Sequence, residues 1–144
     1  MQRLYHDEPI PDELRGAVIA LGNFDGFHLG HQAVVTRAIA LGFHMRRPVI
    51  VATFDPHPVR HFKPDLPPFR LTTLGQRQEM FAHAGADAML VFRFGVELAA
   101  MDAEEFVGNG FVVIEALHRA RLYRRFVATA IQRWKCRTSP AMRH

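Results

Sequence analysis

His28 and His31 stand three residues apart with Gly30 between them, and Gly22-Asn23-Phe24-Asp25-Gly26-Phe27 leads directly into the pair. Two imidazoles at this spacing can address a single phosphate, donating hydrogen bonds or positive charge to oxygens that gain charge during displacement at phosphorus. A second cluster, Asp55-Pro56-His57-Pro58, carries a carboxylate and an imidazole on a segment fixed by two prolines. Nitrogen and oxygen ligands for zinc are a competing use of the same residues, His28 and His31 with Asp55 or His57. Helical zinc pairs favour an i, i+4 spacing, however, and the single Cys136 lies in an unrelated region. Each cluster alone also reads as ordinary surface: histidines near a helix start, and a proline-rich turn.

The elements that must position these residues follow from the hydrophobic pattern. Ala17 to Leu21 is a short aliphatic run ended by Gly22, the pattern of a strand buried on both faces of a parallel sheet. The glycine-rich segment therefore leaves that strand's carboxyl end, where open α/β sheets bind ligands, and Gly22, Gly26 and Gly30 allow tight turning and close backbone approach. From His31 the pattern turns helical, with Val34, Ala38 and Leu41 on one face and Gly42 as the stop. His28 and His31 thus fall at a helix N-terminus, where free N–H groups and the dipole favour an anion. Neither the Lys-Ser/Thr pair of a P-loop nor the G-x-G-x-x-G dinucleotide fingerprint is present.

Pro48 to Phe54 reads as a second buried strand that empties into the Asp55–Pro58 loop, which then lies beside the first turn. Thr73 and Gln76 form a capping box that opens a helix running to about His83, with Gly85 as its stop. Ala88 to Phe94 is a third strand, and Asp102 with Glu105 marks a further helix start.

Three motifs in order, Gly22-Asn23-Phe24-Asp25-Gly26-Phe27-His28-Leu29-Gly30-His31-Gln32, Thr53-Phe54-Asp55-Pro56-His57-Pro58 and Arg70-Leu71-Thr72-Thr73-Leu74, closely resemble the adenylyltransferase module of bacterial bifunctional riboflavin kinase/FAD synthetases. The likeness covers roughly residues 10 to 107, including Asp102-Ala103-Glu104-Glu105-Phe106-Val107. It implies an α/β, Rossmann-like nucleotidyltransferase domain with a parallel sheet flanked by helices. It also implies that ATP and FMN give FAD and pyrophosphate with Mg2+, and that no metal is held by the protein's own side chains. By the same resemblance, Gly22, Asn23, Phe24, Asp25, Gly26, His28, Gly30 and His31 bind ATP, with His28 and His31 the catalytic pair. Phe54, Asp55, Pro56, His57 and Pro58 shape the flavin side, with Arg70, Thr72 and Thr73 nearby. Rival readings are a non-catalytic nucleotide- or flavin-binding remnant, a basic-tailed nucleic-acid binder, and an adenylyltransferase with a pantetheine or nicotinate acceptor; the Phe-Asp-Pro-His-Pro loop argues against the last.

The 144 residues fit one domain, and 49% apolar content is enough to bury a core. One cysteine excludes an internal disulfide framework and suits a reducing cytoplasm. No stretch resembles a signal peptide or reaches transmembrane length, so a soluble domain without membrane partners is expected. The pI of about 10.0 suggests nucleic acid until the charge is divided. Residues 1–107 carry 10 Lys+Arg and 13 Asp+Glu, a balance of −3, whereas residues 108–144 carry 8 and 1, a balance of +7. The chain accordingly divides into a nucleotidyltransferase-like domain, 1–107, and a basic tail, 108–144, holding Trp134 and Cys136.

In that tail the Gly-x-Asp-Phe turn and Ser-Ser-Thr-Arg type motif of the resembled family are missing, and so is its riboflavin kinase domain. A basic helix from Ile114 to about Trp134 that binds RNA, an acidic partner or a membrane surface is one account. A solvated helical face is another. A reading-frame shift near residues 110 to 120 is the account that fits the abrupt change of composition, and it would leave the ATP site incomplete and riboflavin kinase activity absent.

Overall fold

The computed structural model describes residues 1–101 and 105–106. Four strands, β1 (Gln2–Tyr5), β2 (Val18–Leu21), β3 (Val49–Asp55) and β4 (Ala88–Arg93), form one sheet in the order β1-β4-β3-β2. Every neighbouring pair is parallel. The helices are α1 (Leu29–Met45), α2 (Pro58–Phe62), α3 (Leu74–Ala84) and α4 (Val96–Ala100), with short 3-10 turns at Asp12–Leu14 and Asp25–Phe27. This is the α/β architecture that the apolar runs predict.

Composition decides which strand lies where. β3 and β4 each present five consecutive buried residues, Val49 to Thr53 and Ala88 to Phe92, and both lie inside the sheet with a partner on either side. Side chains alternate between two cores. Ile50, Ala52, Leu90 and Phe92 pack with Leu4, Leu14 and Leu98 on one face. Val49, Val51, Met89 and Val91 pack with Val35, Ala38 and Phe81 on the other. The chain steps from β2 to β3 to β4 in one direction, so right-handed crossovers place α1 and α3 on the same face.

Two local expectations need correction, and one strand is not foreseen. Helix α1 does not stop at Gly42 but continues to Met45, where Arg46 takes the left-handed cap conformation with φ 53°. Gly42 has another role: a Cβ built on it would lie 2.3 Å from Val49 Cγ2 and 2.9 Å from the Arg47 carbonyl, so the missing side chain lets α1 lie against β3. The buried face of α1 is Val35, Ala38 and Gly42, whereas Val34 and Leu41 are exposed; a helix with apolar residues on several sides does not reveal its core face by spacing alone. Lastly, β1 escapes detection because only Leu4 of its four residues is buried.

Elsewhere the local signals hold. Thr73 and Gln76 form a reciprocal capping box, and Gly85 closes α3 with φ 99°. Glu105 and Phe106 are helical. Asp102, the 107/108 boundary and the basic helix over 114–134 lie outside the described residues. Among those described, no helix is long and apolar enough to cross a membrane.

Candidate functional site

Parallel strands deliver their following loops to one end of the sheet, and the two motif loops leave the carboxyl ends of the adjacent strands β2 and β3. Pairing of the strands ends with Gly22 N donating to the Ala52 carbonyl at 3.0 Å. Beyond it the first loop turns sharply, with Phe24, Gly26 and Phe27 at φ 49°, 73° and 36°. Left-handed backbone at two phenylalanines is costly, and persists because both rings are buried edge-on against Phe81, at centroid distances of 5.6 and 5.4 Å. At Gly26 the left-handed φ is joined by close packing, since a Cβ there would come within 2.8 Å of Leu71 Cδ1.

Asp25 fixes this turn to a distant part of the chain. Its Oδ1 accepts hydrogen bonds from Leu71 N (3.0 Å), Thr72 N (2.8 Å) and Thr72 Oγ1 (2.9 Å), and Gly26 N donates to the same threonine hydroxyl at 3.1 Å. Burial alone would raise the Asp25 pKa, but the donors at Leu71 and Thr72, aided by Arg77, hold it below the ordinary value.

The histidines close the turn. His28 is the N-cap of α1, its Nδ1 accepting from His31 N at a long 3.4 Å. With Nδ1 turned to the helix, Nε2 is the ring nitrogen left to face outward groups. The His31 ring stacks on His28 at 3.6 Å and meets the Phe24 ring edge-on at 5.3 Å. Burial first, and the neighbouring His28 second, lower the His31 pKa, with Asp25 opposing. His31 Nδ1, Asn23 Oδ1 and Arg77 Nε are buried without a hydrogen-bond partner among the described residues.

The second loop is built differently. Asp55–Pro56 is a cis peptide, Pro58 is buried at the first turn of α2, and His57 is that helix's N-cap, its Nδ1 accepting from Val59 N at 3.2 Å. The His57 ring lies edge-on to Phe69 at 5.1 Å, and burial lowers its pKa. Phe54 is half-buried among Phe92, Phe94 and Phe106. The Asp55 carboxylate accepts from Arg70 in an ion pair.

Residues 70–73 therefore join the two loops: Arg70 holds Asp55, Leu71 and Thr72 hold Asp25, and Thr73 starts α3. The resemblance puts Thr72 and Thr73 toward the flavin, yet here the Thr72 hydroxyl lies under the β2 turn and that of Thr73 caps α3. Sequence reasoning missed Arg77, which is 2% exposed beneath both loops. Among the described residues no group of three or more His, Cys, Asp or Glu side chains is arranged to hold a metal ion.

A parallel sheet flanked by helices, with both motif loops at its carboxyl end, defines an α/β, Rossmann-like domain. The sequence profile of the FAD synthetase family matches residues 10–123, running past residue 107, and the chain belongs to that family. It is 37% identical over 94 residues to the bifunctional riboflavin kinase/FMN adenylyltransferase of Escherichia coli strain K12, covering 65% of this chain and 30% of that protein. The Listeria monocytogenes protein of the same name is 36% identical over 124 residues, 82% of this chain and 39% of that one. The chain thus spans about a third of the length of these relatives. A solved structure titled as a macrolide-efflux protein from Streptococcus pneumoniae shares the fold, with a TM-score of 0.59 at 24% identity over 74% of this chain and 37% of its own.

Proposed function

We propose that this domain transfers the adenylyl group of ATP to FMN, releasing FAD and pyrophosphate. An oxygen of the flavin phosphate attacks the α-phosphorus of ATP, and the bond from that phosphorus to the bridging oxygen of the leaving pyrophosphate breaks. The observation that carries the reading is the pairing of two loops of unlike character at one sheet end: a stacked histidine pair with the His31 Nδ1 unpartnered on one, and a proline-fixed Asp55–Pro58 segment on the other. Family membership and the FMN adenylyltransferase named in the relatives support it.

In this reading Gly22 to Gly26 and Gly30 line the nucleotide site, His28 and His31 donate to its phosphates, and Phe54 to Pro58 with Arg70 face the flavin. Positioning and charge stabilisation supply the rate, with no covalent enzyme intermediate. The lowered His31 pKa favours a neutral donor at pH 7. Magnesium arrives with ATP as part of the substrate; the Asp25 carboxylate is already engaged by Leu71 and Thr72 and is not a vacant ligand. A reducing cytoplasm is the proposed compartment.

Purified protein incubated with FMN, ATP and magnesium should yield FAD, read by chromatography. Saturable FMN or ATP binding without any FAD would instead identify a binding module.

A further inference from the structure

We propose that Arg77 is a positioning residue that sets the gap between the two loops, and thereby the register of phosphate donor and acceptor. The assignment rests on the adenylyl-transfer reading. Arg77 lies one turn into α3, where its own backbone N–H donates to the Thr73 carbonyl at 3.0 Å, so the capping box fixes its starting point. From there its guanidinium reaches under both loops. Nη1 lies 3.1 Å from the Asn23 carbonyl, 2.8 Å from Thr53 Oγ1 and 3.4 Å from the Phe54 carbonyl, while Nη2 is 3.9 Å from Asp55 Oδ1. Thr53 Oγ1 in turn donates to the Asn23 carbonyl at 2.8 Å. The β2–β3 ladder ends at Gly22 and Ala52, and Arg77 with Thr53 continues the connection across the gap where the two loops diverge.

The residue type is informative. A cation at 2% exposure is expensive to bury, and α3 turns this position toward a core that an aliphatic side chain would fill more cheaply. What an aliphatic residue cannot do is donate to the Asn23 and Phe54 carbonyls and the Thr53 hydroxyl at once. All three meet Nη1, with Nη2 turned to Asp55 and Nε buried without a partner, and a lysine ammonium, on a stem one bond shorter, reproduces the charge without the reach or the second nitrogen. In-line displacement is sensitive to such spacing, because misplacement of reacting groups by about 1 Å lowers rate on the order of 100-fold.

The test uses the full chain and three variants, Arg77→Lys, Arg77→Met and Thr53→Val. Four quantities are measured: the unfolding midpoint, ATP and FMN dissociation constants, the single-turnover rate of FAD formation, and amide hydrogen exchange over residues 23–27 and 54–57. Arg77→Lys should stay folded and bind each substrate within about threefold of the parent, while its transfer rate falls by about 100-fold. Exchange should rise in both loops together, and Thr53→Val should give a smaller change in the same direction. If Arg77→Met does not fold, Arg77→Lys and Thr53→Val still decide the matter. A folded Arg77→Lys with the parental rate, or a rate loss that tracks the ATP dissociation constant alone, overturns the proposal. If the parent makes no FAD, the adenylyl-transfer reading fails by itself, and loop linkage is then judged by exchange: a joint rise upholds it, a rise confined to one loop sinks it.

Discussion

The turn after β2 and the loop after β3 occupy equivalent places, at the ends of neighbouring parallel strands, and each ends in a histidine that caps the next helix through Nδ1. Their construction nevertheless differs. The first uses left-handed backbone at Phe24, Gly26 and Phe27 and is tied down by a carboxylate that accepts main-chain and hydroxyl donors. The second uses two prolines and is tied by the ion pair of Asp55 with Arg70, whose side chains are 29% and 36% exposed. Several charge-assisted hydrogen bonds to one carboxylate hold geometry more firmly than a single half-exposed ion pair. One fold position thus yields a turn held by hydrogen bonds from a distant segment and a loop held mainly by its own prolines.

The largest expected contrast is between histidines. Replacing His28 or His31 with alanine should lower adenylyl transfer by about 100- to 1,000-fold, the scale of losing a donor to developing charge, with the unfolding midpoint nearly unchanged. Full activity in either variant breaks the assignment. His57→Ala should cost less, and an equal loss would erase the difference between the loops.

Next comes the Asp25 tie. Asp25→Ala should destabilise the fold by about 2 to 3 kcal/mol in urea unfolding, because donors at Leu71 and Thr72 lose an ionised acceptor. Gly42→Ala should cost about 1 to 3 kcal/mol by overpacking against Val49, reversing the usual gain from alanine in a helix. Arg70→Ala should cost under about 1 kcal/mol. A larger effect from Arg70 than from Asp25 would invert the comparison.

The smallest effect is on pH dependence. His31 and His57 have pKa values lowered from the ordinary 6.5, so the unfolded chain binds their protons more readily. Their contribution is complete above about pH 6.5 and is lost as pH falls through the folded values. Asp25, lowered from 3.8, adds a second loss at more acid pH. Thermal midpoints measured from pH 8 to pH 3 should fall in these two stages, and His31→Gln should flatten the first.

Much of this was readable in the chain because it rests on local chemistry. The aliphatic runs of β2, β3 and β4, the Thr73–Gln76 box and the Gly85 stop are all signals whose causes lie within a few residues. What escaped depends on contacts made over longer separations. Arg77 looks like a surface charge on an amphipathic helix until Asn23, Thr53 and Phe54 are seen beside it. Thr72 looks like part of an acceptor motif until Asp25 is found 47 positions away. The β1 strand is visible only through its pairing with β4, and the exposed flank of α1 is as apolar as its buried one.

The tight seat of Gly42 against Val49 has a mechanical meaning as well. Helix α1 carries the histidine pair at one end and this pressed contact near the other, roughly 20 Å away at 1.5 Å per residue. Together with Val35 and Ala38, the Gly42 contact seats the helix along its whole length, and a methyl group added there would tilt it by a few degrees, displacing the imidazoles by about 1 Å at this distance. Position 42, remote from every reacting atom, should tolerate substitution as poorly as the site itself.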